Sequence, residues 1–290
     1  MIRVGVAGWD YEDWNGRVYP PGAGRELDRL AYLAELVELI EINSTFYRPV
    51  RPRVAESWVR RVASHESFVF TAKAHRGWTH EQPLDVGLAV PPTLEGLKPL
   101  HEAERLGALL LQFPQSVRWG PSARERLARL SEAARGWPLV VEVRHASWGA
   151  DEAGSWLAEQ GLGWCWIDQP RVGPATLGGL RRVTAERAYM RLHGRNAANW
   201  FRRDAGRDAR YDYLYADDEL QGFAATARAL AAEAPALFVV MNNHFRGQAL
   251  VNALQLRRRL EGVPPIAPAS LVDAYPGLAD SVKERRDGLF

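Results

Sequence analysis

The chain has 290 residues, and its 37 Lys and Arg against 35 Asp and Glu leave a formal charge of only +2. That balance gives no bulk electrostatic footprint for nucleic acid, although it does not exclude one, and the 47% hydrophobic content is that of an ordinary globular core. No stretch approaches the ~18 apolar residues of a membrane span, and a lone cysteine, Cys165, excludes an internal disulfide.

The N-terminus enters a strand pattern at once, and no secretory leader is expected. Cys165 lies in the apolar run Leu162 to Ile167, as a buried thiol in a reducing compartment would. A cytoplasmic location is expected. Strand-like runs then recur at Arg3–Gly8, Leu39–Ser44, Phe68–Ala74, Ala108–Phe113, Leu139–Arg144, Gly163–Asp168, Ala188–His193 and Leu237–Asn242. Helical spacing separates most of them. Leu27, Leu30, Leu33, Val37 and Ile40 form one face, and Val54, Trp58 and Val62 another. Pro121 opens a third helix, and Trp156–Leu157, Phe223–Leu230 and Ala249–Leu260 supply later ones. From Gln169 to Thr184 no helical spacing is found, which predicts a degenerate sixth crossover.

Eight strands alternating with helices predict a (β/α)8 TIM-type barrel, a single α/β domain over residues 1–290, since no linker, low-complexity tract or repeat divides the chain. A doubly wound sheet is the alternative, but no glycine fingerprint follows a strand and opens a helix. Long connections are expected after strands one, three and seven, at Asp10–Gly24, His75–Lys98 and Gly194–Asp217. In a barrel such loops gather at the C-terminal face, where active sites form.

The run Pro138 to Trp148 concentrates the functional signal. Strand side chains alternate, so Glu142 and Arg144 share one face while Val141 and Val143 share the other. Valines outward against helices and charges inward suit a barrel with a polar mouth. The pattern repeats in Glu41 with Asn43, and in Arg191 with His193. Lys73, Gln112, Asp168 and Asn242 also close their strands, and Trp9 follows the first. Three carboxylates, Glu41, Glu142 and Asp168, nominally cancel three cations, Lys73, Arg144 and Arg191. A structural ion-pair network therefore competes with a functional site.

Several chemistries can be weighed on these residues. A glycosidase pair is weakly signalled, and no nucleophile elbow supports a serine triad. No cofactor is expected. A divalent metal remains open, with Glu142, Asp168, His193 and His244 as its ligands, but the interleaved cations would compete for the carboxylates. Schiff-base chemistry at Lys73 needs a lowered pKa, and pairing with Glu41 or Glu142 is expected to keep that lysine protonated. The preferred reading is an anion site in which Lys73, Arg144 and Arg191 hold a phosphate or carboxylate. His193 is a candidate acid/base, or equally a core histidine. The loop from Arg195 through Trp200, Arg202 and Arg203 to Tyr211, Tyr213 and Tyr215 interleaves cations with aromatics, as a stacking surface for bases or sugars would.

Longer motifs carry a resemblance. Gly5 to Trp9 with Tyr11, Trp14, Tyr19 and Pro20; Glu41 to Tyr47; Phe68 to Lys73 with Thr79 and His80; and Leu109 to Pro114 are four of them. Val141 to His145 with Ser147 and Trp148, Tyr189 to Gly194, and Asn242 to His244 with Gly247 and Asn252 complete the set. In order along nearly the whole chain, they resemble the YecE-like family, a domain of unknown function. The resemblance implies a TIM-type barrel with a pocket at the C-terminal strand ends, and no established reaction. It carries over Glu41, Asn43, Tyr47, Lys73, His80, Gln112, Glu142, Arg144, Asp168, Arg191, His193 and Asn242 as motif positions. Trp78, where the family usually has an aliphatic residue, departs from the pattern.

The expectation is an enzyme for a small anionic ligand or nucleic-acid fragment, without membrane association. Its catalytic candidates are Glu41, Glu142, Asp168 and His193. Asn43, Tyr47, Lys73, His80, Gln112, Arg144, Arg191, Asn242, Trp9 and Trp200 are its binding candidates. Hydrolase, lyase and isomerase classes stay open, as does the oligomeric state. The alternatives are a metal-dependent phosphodiesterase or endonuclease-like barrel, and a nucleic-acid or ligand-binding module without catalysis.

Overall fold

A computed structural model describes residues 1–170, 173–200 and 210–285, with the backbone alone at 199 and 200. Eight parallel strands close into a barrel in sequence order, β1 pairing with both β2 and β8. They are β1 (Ile2–Ala7), β2 (Leu39–Ile42), β3 (Val69–Lys73), β4 (Leu106–Gln112), β5 (Leu139–Glu142), β6 (Gly163–Asp168), β7 (Arg187–Leu192) and β8 (Ala236–Met241). Each overlaps an expected run. The principal outer helices are α1 (Arg29–Ala34), α2 (Pro52–Arg61), α3 (Val86–Glu102), α4 (Pro121–Ala133) and α5 (Asp151–Glu159). A short α6 (Ala197–Trp200) precedes α7 (Asp217–Glu233), α8 (Gln248–Glu261) and α9 (Ala269–Ala274). No helix among the described residues is long and apolar enough to cross a membrane.

Strand parity divides the apolar residues into two clusters. Leu39, Val69, Leu110, Val140, Cys165, Ile167, Tyr189 and Val240 belong to a small cluster inside the barrel. Their neighbours Ile40, Ile42, Val141, Trp164, Trp166, Met190 and Leu192 belong to the larger cluster beneath the helices. The period of two thus fills the lumen with one set of residues and beds the helices on the other. At the C-terminal end the inward positions become polar.

Two helical expectations change. The first face does not extend to Ile40: α1 ends at Ala34, and Ile40 lies in β2 beside Phe70. The long loop expected from His75 to Lys98 is largely α3, a helix of 17 residues. Its Pro91, Pro92 and Pro99 each remove a backbone donor, which hid the helix from sequence reading. Asp85 caps it by accepting from Leu88 N at 3.1 Å, and Val90, Thr93, Gly96, Leu97 and Leu100 are its buried face. Tertiary packing overrides local propensity there.

Between β6 and β7 none of the described residues is helical. That segment instead returns across the end of β5. Leu177 N donates to Arg144 O and Ala146 N donates to Ala175 O, both at 2.8 Å. It thereby fixes the backbone on which Arg144 is mounted.

Candidate functional site

The inward positions at the top of β2, β5 and β7 meet in one buried network. Arg191 donates through Nη2 to Glu41 Oε1 at 2.7 Å and through Nη1 to Glu142 Oε2 at 2.5 Å. Glu41 also accepts from the Tyr189 hydroxyl at 2.9 Å, and that hydroxyl lies 2.6 Å from Thr71 Oγ1. Glu142 Oε1 receives Arg144 through Nε at 3.0 Å and Nη2 at 2.7 Å. Glu41, Glu142 and the Arg191 side chain are essentially sealed from solvent, so the two carboxylates are matched by the two guanidiniums that touch them. Burial pushes the Glu142 carboxyl up, but Arg191, Arg144 and His193 outweigh it and hold it well below the usual range. For Arg191 the burial penalty is outweighed by Glu142 and Glu41, which raise its pKa.

His193 stands beside this network, its Nε2 at 3.4 Å from Glu142 Oε1 and its Nδ1 at 2.9 Å from Asn242 Nδ2. An amide donor on Nδ1 fixes the tautomer with the proton on Nε2, facing the carboxylate. Burial, only partly offset by Glu142, lowers its pKa to about 3. His193 is therefore neutral near pH 7.

Lys73, at the C-terminal end of β3, is partly buried and points by parity into the same mouth. The expected pairing with Glu41 or Glu142 is not formed. Among the described residues Nζ makes no ion pair or hydrogen bond, and it sits 4.2 Å from the centroid of the Phe46 ring. Both carboxylates are already taken by arginines. Burial, followed by Arg191 and then Arg144, outweighs the pull of the carboxylates and lowers the amine to about 7. His80 meets the other side of this arrangement, its ring edge-on to Phe46 at 5.0 Å. Its pKa falls to about 4 through burial and the nearby charge of Lys73.

Above the network opens a cavity of about 330 Å³ lined by His80, Gln112, Pro114, Gln115, Arg144, Arg210 and Tyr211. Gln112 Oε1 accepts from Arg191 Nη1 at 3.5 Å, a long contact linking the cavity wall to the buried layer. Among the described residues the lining holds two guanidiniums and no carboxylate.

Other expected residues stand elsewhere. Asp168 ends β6 but has the parity of Trp164 and Trp166, so it faces away from the lumen, to which Cys165 and Ile167 belong. It accepts from Arg195 through Nε and Nη2 at 2.7 to 3.0 Å, and from the Tyr215 hydroxyl at 2.8 Å. The three-against-three ring is thus corrected: Asp168 leaves it for Arg195, and Lys73 is left over. Trp9 packs edge-on against Trp58 and lines a separate cavity with Asp10, Arg25 and Arg29. Tyr47 is exposed to solvent beside Phe46. Asn43 has already left the strand for a helical turn, and its buried Oδ1 has no hydrogen-bond partner among the described residues.

Two of the loop tryptophans pack into the interior. Trp14 and Trp78 are fully buried, donating to the His244 and Ala89 carbonyls at 2.7 and 2.9 Å. Tyr215 is buried as well, while the side chain of Trp200 and all of Arg202 and Arg203 lie outside the described residues. The suggested metal ligands do not converge: Glu142 and His193 are adjacent, Asp168 faces the outer side, and His244 stacks on Tyr11 at 4.4 Å. Among the described residues no group of three or more His, Cys, Asp and Glu is placed to hold a metal ion. Sequence reasoning put Arg195 on a stacking surface rather than beside Asp168, and it missed Arg210, Phe46 and Tyr189. Of these only Tyr189 carried a signal, its shared parity with Arg191.

A family model described as "Protein of unknown function DUF72" matches residues 3–271. The chain belongs to the DUF72 family. It is similar to the UPF0759 protein YunF of Bacillus subtilis, 28% identical over 277 residues that cover 90% of this chain and 95% of that protein. A DUF72 crystal structure from Thermotoga maritima is 31% identical with a TM-score of 0.78, covering 90% of this chain and 99% of that one. A second, from Enterococcus faecalis, is 24% identical with a TM-score of 0.79 over 90% and 96% of the two chains, and shares the fold.

Proposed function

We propose that this DUF72 protein is an enzyme that binds a small anionic molecule, bearing a phosphate or carboxylate, in the cavity at the C-terminal strand ends. One observation carries the reading: among the described residues the cavity is lined by Arg144 and Arg210 with the neutral donors Gln112, Gln115 and Tyr211, and by no acidic side chain. Glu142 holds the Arg144 fork from behind, and the segment after β6 holds its backbone, so the guanidinium is oriented before any ligand arrives. Lys73, lowered to about 7, can move a proton near neutrality and shares the Phe46 ring with His80, which lines the cavity and is unprotonated there. Glu142 and His193 lie one layer below and act by positioning.

Calorimetric titration with inorganic phosphate and with citrate tests the reading. Replacing Arg144 by Gln removes one charge-assisted contact and is expected to weaken the binding by about 10- to 100-fold. Binding that is absent in the parent protein, or unchanged in Arg144→Gln, would overturn it.

A further inference from the structure

We infer that Lys73 is an imine-forming amine, whose Nζ condenses with the aldehyde or ketone carbon of a ligand held through its anionic group by Arg144. This rests on reading the cavity as an anion site, and it names the substrate class: a carbonyl compound bearing a carboxylate or phosphate.

Three independent observations meet at this residue. The first is chemical economy. Of the 37 Lys and Arg residues only three are lysines, Lys73, Lys98 and Lys283. Lys98 stands on the surface beside Glu102, and Lys283 is exposed in a short outer strand, so Lys73 is the only lysine on the lumen-facing side of the barrel strands. An arginine cannot shed its proton near neutrality, whereas a lysine can, and that difference matters only where a lone pair is used.

The second is charge balance. Arg191 and Arg144 satisfy Glu41 and Glu142, so a protonated Lys73 would add an uncompensated charge beside two guanidiniums. The Phe46 face offers an ammonium group only a weak attraction, but it also gives an uncharged amine an apolar bed.

The third is placement. Thr45 Oγ1 donates to the Lys73 carbonyl at 2.6 Å, fixing the strand end, and Lys73 and His80 contact the same Phe46 ring. His80 and Arg144 line the cavity, and Arg144 is among the charges that act on the amine. The charged and titratable groups acting on the amine are Glu41 from β2, Glu142 from β5 and Arg144 just beyond it, and Arg191 from β7, while His80 stands in the loop beyond β3.

The step balances without a co-reactant. The Nζ lone pair forms a bond to the carbonyl carbon, and the C=O π pair moves to oxygen, which takes up one of the two protons that nitrogen gives up. The carbinolamine then loses that oxygen as water, with the second nitrogen proton, as the freed N–H electron pair forms the C=N bond. His80 is the group placed to carry these protons. The reverse reaction consumes one water and releases the ligand.

Glyoxylate with sodium cyanoborohydride at pH 7, followed by peptide mass spectrometry of the full chain, reads the step directly. A pKa near 7 gives Lys73 a neutral fraction roughly a thousandfold above that of an ordinary lysine. Carboxymethylation is expected at Lys73 at least about tenfold faster than at Lys98 and Lys283, which serve as internal controls. Phosphate should compete with it. Lys73→Arg, checked for its fold by circular dichroism, should lose that label and still bind phosphate.

If phosphate binds but Lys73 labels no faster than the two surface lysines, the imine assignment falls and the anion site stands. If Lys73 labels fast but neither phosphate nor Arg144→Gln alters the rate, the anion reading falls and the amine stands alone. If neither binding nor preferential labelling occurs, both fall.

Discussion

Two charged clusters stand on opposite faces of the barrel wall, and they use the same residue types differently. Inside, Glu41, Glu142, Arg191 and Arg144 are joined by hydrogen bonds of 2.5 to 3.0 Å, with both carboxylates and Arg191 closed to solvent. Outside, Asp168 and Glu219 share Arg195, whose side chain is 42% exposed, with Tyr213 and Tyr215 completing the set. Glu41, Glu142 and Arg191 have no water to fall back on, so each depends on its partner. Those in the outer cluster remain partly hydrated. The inner cluster is therefore a rigid floor whose stability depends on completeness, whereas the outer one ties a loop to α7 by replaceable contacts.

The largest effect is expected from removing the shared inner cation. Arg191→Met fits the available space approximately but leaves Glu41 and Glu142 facing one another without their bridge, at a cost of about 3–5 kcal/mol. Urea denaturation monitored by tryptophan fluorescence measures it. Combining Glu41→Gln and Glu142→Gln with Arg191→Met should recover most of that loss, because the penalty belongs to the stranded charge. A single-mutant loss below about 1 kcal/mol would place the inner cluster in the same energetic class as the outer one.

A smaller effect comes from protons. His193 has a folded pKa of about 3, lowered by burial from an ordinary value near 6.5. As pH falls through 6.5 the unfolded chain takes up a proton that the folded chain refuses. Stability should therefore decline by about 1.4 kcal/mol per pH unit on this account, the decline ending near pH 3. His80, lowered to about 4 and partly exposed, adds a weaker slope of the same sign. Glu142 enters only below its ordinary pKa of about 4.5, where the unfolded carboxylate begins to protonate first and stability is lost further. Glu38, raised by burial, takes up its proton first in the folded chain and opposes this decline above its ordinary value, so the interval from pH 6.5 to 4.5 is read as a difference between parent and variant. His193→Gln should flatten the decline there by about one proton, read as the midpoint of urea unfolding against pH. An unchanged slope would mean that His193 titrates normally in the fold.

How far these clusters could be foreseen depended on whether their positions are set locally. Parity along a strand is local, so Glu41, Lys73, Gln112, Glu142, Arg144, Arg191, His193 and Asn242 could all be assigned to the lumen before any coordinates. Asp168 was misassigned because it was counted by nearness to the strand end, although Cys165 and Ile167 already fixed its face as the opposite one. What local rules could not give was partner choice. Arg191 competes with Lys73 for two carboxylates, and the outcome depends on strand stagger and side-chain reach around the closed barrel. It was this outcome that left Lys73 without an acid and changed its expected chemistry. The burial of Trp14 and Trp78 was out of local reach for a similar reason, since the carbonyls they donate to belong to distant or unrecognised elements. The α3 helix was hidden by three prolines whose cost is offset by packing on its buried face.

The smallest effect should arise in the outer cluster. Arg195→Ala removes three hydrogen bonds to Asp168 and one to Glu219, yet neither carboxylate becomes isolated. Asp168 keeps the Tyr215 hydroxyl, which in turn accepts from Gly194 N at 2.7 Å, and Glu219 keeps Tyr213 and the backbone N–H of Ala216. Water can replace the remainder, because the arginine head already touches solvent. A loss of about 0–1 kcal/mol follows in dilute buffer, shrinking further in molar salt, while the Arg191→Met loss should be nearly insensitive to salt. Measuring both variants at two ionic strengths separates burial from hydrogen-bond count. The outer arginine makes four hydrogen bonds to carboxylates and the inner one two. If stability followed the number of bonds, the order of the two variants would reverse.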